Sequence, residues 1–82
     1  MNESQIYDRL SAIFFDIFDD DGIVLRPETT ARDVPGWDSF AHVNIIVATE
    51  QAFGIKFHAA EIGRLQNVSE LVSLIARKTS TA

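Results

Sequence analysis

Residues 36–57 read GWDSFAHVNIIVATEQAFGIKF. Asp38-Ser39 makes a helix start, because short polar side chains accept hydrogen bonds from the first-turn N–H groups that lack an intrahelical partner. Phe40, Ala41, Val43, Ile45, Ile46, Val47, Ala48, Ala52 and Phe53 carry the helix onward, and Gly54 is placed to close it in the left-handed conformation. These apolar positions cover more than one stripe of the cylinder. The helix is therefore either buried on several sides or presents part of its face for docking. Ile55, Lys56 and Phe57 read as briefly extended.

On the amino-terminal side, Ile6, Leu10, Ile13, Phe14, Ile17 and Phe18 trace one stripe of a 3.6-residue helix. Asn2 followed by Gln5 predicts its cap. Asp19, Asp20 and Asp21 oppose the macrodipole at its end, so the helix is expected to stop before taking in all three. Residues 19–37 contain Gly22, Pro27, Pro35 and Gly36 with no sustained period and read as a loop. A structureless loop this long needs anchors, and Ile23, Val24, Leu25 and Val34 are the candidates. On the carboxyl-terminal side a short helix is expected within 59–65. Asn67 with Glu70 predicts a capping box before Val68, Leu71, Val72 and Ile75, a last helix ending near Arg77 and Lys78. The expected fold is all-α, three main helices plus a short one in a single domain of residues 1–82, ordered over roughly 3–78.

The 82 residues carry no cysteine, which removes thiol nucleophiles, disulfides and cysteine-based zinc sites. Twelve acids against seven bases give a net charge of −5, unsuited to nucleic acid and suited to basic surfaces on partner proteins. The asymmetry is internal: residues 1–41 hold nine acids and three bases, residues 42–82 three acids and four bases. No apolar run approaches a membrane span and the amino terminus lacks the pattern of a signal peptide, so a cytoplasmic location, no membrane partner and a monomer are expected.

Three patterns bear on chemistry. A calcium-loop register beginning at Ile17 places Asp19, Asp21, Gly22, Val24 and Glu28 at template positions, but the first ligand position is Ile17 and Pro27 opposes the exiting helix; the acids read as a solvated helix end. His42 and His58 have no metal-ligand spacing to one another or to acids, so no metal site is expected. Ser39, His42 and Asp38 contain the residue types of a hydrolytic triad, yet within one helical turn they cannot align base and orienter, and no catalytic residue is assigned. His42, three residues after Ser39, shares its helical face and is within reach of whatever that serine carries, but it reads first as an ordinary exposed or half-buried histidine.

Asp38-Ser39 alone reads as a plain cap. In the run Gly36-Trp37-Asp38-Ser39-Phe40, followed by Val43, Glu50 and Phe53-Gly54-Ile55, the chain resembles the acyl carrier proteins. Their mark is Asp-Ser-Leu before an amphipathic helix that ends in an acidic and then a Phe-Gly-Ile-type segment. The order of the remaining elements agrees over nearly the whole chain. The resemblance implies that Ser39 is the attachment point of 4′-phosphopantetheine, added by a separate phosphopantetheinyl transferase that recognises Asp38. It implies no enzyme activity of the chain itself, and acyl-loading and acyl-processing enzymes as partners. These would dock on Phe40, Val43 and Val47, with Glu50 as an acid at the rim.

Two departures are specific to this sequence. Phe40 stands where leucine is usual, and Ala41, His42, Asn44 and Ile46 occupy a helix that is acid-rich in carriers of primary fatty-acid synthesis. Phe40 is a bulkier anchor that should still fill a partner's pocket; the scarcity of acids is what favours a dedicated lipid, polyketide or other specialised pathway. Trp37 is expected to pack the loop against the helix in preference to touching cargo. Two alternatives stay open: a peptidyl or D-alanyl carrier with amino-acid cargo, and a small helical interaction module in which Asp38-Ser39 only caps.

Overall fold

Asn2 opens the first helix as predicted, its Oδ1 accepting the Gln5 N–H at 2.9 Å while Gln5 Oε1 accepts the Asn2 N–H at 3.1 Å. In the computed structural model, which describes residues 2–20 and 22–80, four α-helices and no strand occur among the described residues. They are α1 (Glu3–Phe18), α2 (Ser39–Phe53), α3 (Ala59–Gly63) and α4 (Val68–Ser80), with a single 3-10 turn at Ala31–Asp33. None is long and apolar enough to cross a membrane. α1 ends before its acids: Asp19 takes the left-handed conformation at φ 51°, which a short polar side chain tolerates.

α1 packs against α2 and α4. Ile6, Leu10 and Ile13 of α1 pack with Ile46 of α2 and Val68, Leu71, Val72 and Ile75 of α4 in one buried cluster, and Phe14 and Ile45 are buried as well. Thr49, the buried polar residue of α2, donates its hydroxyl to the Ile45 carbonyl at 2.7 Å, which satisfies it within its own helix. Gly54 closes α2 at φ 67° as expected. Residues 55–58 leave it as irregular chain without strand pairing.

The long loop is held by two kinds of anchor. Val34 is buried, Leu25 packs on the core and Ile23 is half-buried, but Val24, expected to help, is 67% exposed. The second kind is main-chain: the Val68 N–H donates to the Thr29 carbonyl at 2.8 Å and the Ser69 N–H to the Pro27 carbonyl at 2.9 Å. Loop carbonyls thus satisfy the first two N–H groups of α4, which would otherwise have no partner. Asn67 Oδ1 accepts the third, from Glu70, at 2.9 Å. The reciprocal half of the predicted box differs: the Glu70 carboxylate accepts the Gln66 N–H at 3.2 Å and not that of Asn67. α4 also runs past Lys78 to Ser80, with the Thr79 hydroxyl bonded back to the Ile75 carbonyl at 2.9 Å.

Candidate functional site

Pro35 and Gly36 turn the chain into α2. The Trp37 N–H donates to the Val34 carbonyl at 3.1 Å across them, and Gly36 sits at φ 88°, the conformation a Pro-Gly turn requires at its second position. Asp38 is the cap of α2, its Oδ1 accepting the Ala41 N–H at 2.8 Å and its carbonyl accepting the His42 N–H at 2.9 Å. Ser39 is therefore the first helical residue, and it is exposed. With Ala41 satisfied by Asp38, the amide groups of Ser39 and Phe40 remain at the positive end of the helix dipole, where a negative group is favoured.

Trp37 is expected to pack the loop on the helix, and it does. Its ring meets Phe14 edge-on at 5.1 Å between centroids and stacks on His42 at 6.0 Å and 21°. Its indole Nε1–H donates to His42 Nδ1 at 3.2 Å. Burial holds the His42 imidazole below its ordinary pKa of 6.5, so at neutral pH the ring is uncharged. Because Nδ1 accepts, the single ring proton lies on Nε2. This hydrogen bond is not legible in the sequence beyond the spacing of five residues.

The same contacts dismantle the paper triad. Asp38 is engaged with Ala41 and His42 Nδ1 with Trp37, so no acid orients the imidazole toward Ser39. Among the described residues no three acids or histidines gather closely enough to hold a metal, and Asp21 lies outside them. His58 precedes α3, where its N–H donates to Glu61 Oε1 at 2.8 Å.

Beside Ser39 lies an open groove of about 460 Å3, walled by Trp37, Asp38 and His42 on one side and by Ile62 and Leu65 on the other. A second depression of about 350 Å3, lined by Ile23, Arg26, Val34 and neighbours, lies along the loop and does not reach the serine. Along α2 from Ser39, Phe40 is 77% exposed, Val43 60% and Val47 46%, which leaves an apolar strip uncovered. Glu50, further along, is half-buried, and its Oε2 accepts the Phe57 N–H at 2.8 Å. Asn44, between Val43 and Val47, and Gln51, after Glu50, are exposed and uncharged. The site thus joins an exposed hydroxyl at a positive helix end, a semi-polar groove and an apolar strip.

No family model matches the chain. Relatives do. It is 32% identical over 82 residues to the mitochondrial acyl carrier protein of Dictyostelium discoideum, covering all of this chain and 67% of that one. It is 29% identical over 80 residues to the acyl carrier protein of Thermosynechococcus vestitus, covering 98% and 99%. The solution structure of holo acyl carrier protein from Geobacter metallireducens superposes with a TM-score of 0.82 at 46% identity, over 88% of this chain and 83% of that one. Fold, element order and sequence agree, and the chain belongs to the acyl carrier protein family, a family of carriers and not of enzymes.

Proposed function

We propose that Ser39 carries 4′-phosphopantetheine and that the chain delivers an acyl intermediate to separate enzymes of a specialised biosynthetic pathway. The observation that carries this reading is the setting of Ser39: an exposed first residue of α2, capped by Asp38, with a groove alongside. The residues present fit the group. Amides of the first turn and the helix dipole favour the phosphodiester, and Ser39 needs no activating base of its own because the transferase supplies the catalysis. The arm ends in a thiol that holds the acyl group as a thioester, chemistry a cysteine-free chain lacks.

Asp38 has two tasks in this reading. Its carboxylate holds the cap that fixes the start of α2, and its charge marks the serine for the transferase. Phe40, Val43 and Val47 form the apolar docking strip, with Glu50 at its rim. The scarcity of charge on the face they share supports a dedicated set of partners, since an enzyme that reads a row of acids finds only Glu50 there.

The test is intact-protein mass after incubation with coenzyme A, magnesium and a broad-specificity phosphopantetheinyl transferase, beside Ser39→Ala and a control carrier. A gain of one phosphopantetheine on the parent chain alone is expected. No gain while the control is modified overturns the assignment of Ser39 for this transferase and returns the interaction module to the front.

A further inference from the structure

We propose that His42, held by Trp37, is a positioning residue for the phosphodiester on Ser39, gripping it through Nε2–H; this rests on the carrier reading above. Three features of the fold lead there. His42 lies one turn after Ser39, and helical side chains lean toward the amino terminus, so the imidazole extends over the turn that bears the serine. Both residues wall the same groove. The indole Nε1–H occupies Nδ1, which leaves Nε2–H as the donor of the neutral ring.

Trp37 fixes this donor. Stacked at 21° on the imidazole and wedged edge-on against the buried Phe14, it transmits the rigidity of the core to the ring. The arrangement matches the way ligating histidines are oriented by a hydrogen bond to their other nitrogen, here with a donor in place of the usual acceptor. An anionic phosphate ester is the chemical class this donor suits. Free phosphate gains no such hold, because it lacks the covalent tether that keeps it at the helix end.

A phosphodiester beside the imidazole favours its charged form and opposes the effect of burial. Asp38 is the one ionisable residue among those lining the two depressions around the ring. It is present before and after modification, so its influence cancels in a comparison of the two forms.

The experiment follows the ring proton resonances of His42 by NMR through a pH titration of the apo and the modified protein, with modification verified by mass. The His42 pKa is expected to rise by roughly half a unit or more on modification. Trp37→Phe, which keeps an aromatic wall but removes the indole N–H, is expected to raise the apo His42 pKa and to reduce the further rise on modification. An unchanged His42 pKa in verified holo protein overturns the inference and leaves the carrier reading intact. Failure to modify Ser39 at all overturns both.

Discussion

Glu50 and Phe57, seven residues apart, are joined by a hydrogen bond from the Phe57 N–H to Glu50 Oε2 at 2.8 Å. The Glu50 carbonyl meanwhile accepts the N–H of Ile55 at 3.1 Å. One residue near the end of α2 therefore holds the turn that follows it through both its main chain and its side chain. Phe57, so placed, lies beneath the Lys78 ammonium at 5.8 Å, and Lys78 reaches Glu61 of α3 at 3.0 Å. The wall of the groove opposite Ser39 is α3 and the residues after it, and its position depends on this chain of contacts.

Removing the Glu50 carboxylate should loosen that wall. Glu50→Ala leaves the Phe57 N–H without its charged acceptor, and a loss of about 1–2 kcal/mol in unfolding free energy is expected from urea denaturation. Glu50→Gln keeps an acceptor oxygen and should recover most of it. Equal losses in the two variants would show that charge, and not the hydrogen bond, is what Glu50 contributes.

Asp38 separates capping from recognition. Asp38→Ala removes the acceptor of the Ala41 N–H and is expected to cost about 1 kcal/mol. Asp38→Asn retains an equally good cap, so stability should stay within a few tenths of a kcal/mol while the rate of transferase modification falls. A normal modification rate in Asp38→Asn would remove the carboxylate charge from the transferase's recognition of this chain.

The helices are legible in the sequence because each carries its own local signals: Asn2 with Gln5 for α1, Asp38 and Gly54 for α2, Asn67 for α4. Ser39 is legible for the same reason, since its neighbours in sequence make its setting. Contacts between distant segments are another matter. The carbonyls of Pro27 and Thr29 that cap α4 are main-chain atoms common to every residue type, so no pattern announces them. Glu50 reads as a rim acid from its place on the helix; that its carboxylate meets Phe57 depends on how the chain turns after Gly54. The Trp37–His42 pair requires the turn at Gly36 to swing the indole back over α2, a path that helical periodicity does not describe.

Acid should weaken the link between α3 and α4. The Glu61 carboxyl is held below its ordinary pKa of 4.5, first by the His58 N–H and then by Lys78. A carboxylate with a depressed folded-state pKa adds stability that is present above the unfolded value and lost as pH falls through the folded one. Wild type is therefore expected to exceed Glu61→Gln in urea midpoint at neutral pH, and the two should converge as pH drops below that depressed value. A gap that persists in strong acid would mean that the substitution acts through packing.

The strip along α2 makes its own prediction for the transferase. Phe40 is next to Ser39 and 77% exposed, so Phe40→Ala removes little buried surface and places a strong helix former in the first turn; stability should change by no more than about 0.5 kcal/mol. An exposed aromatic beside Ser39 is, however, the kind of side chain that anchors a docked protein, and losing such an anchor typically costs more than about 1 kcal/mol of binding. A fall of about tenfold in kcat/KM for modification is accordingly expected for Phe40→Ala, carried by KM because Ser39 itself is untouched. Val43→Ala, one turn further and 60% exposed, should give a smaller fall in the same direction. If both variants are modified as efficiently as the parent chain, the strip is not where the transferase docks, and its exposure then belongs to another partner or to none.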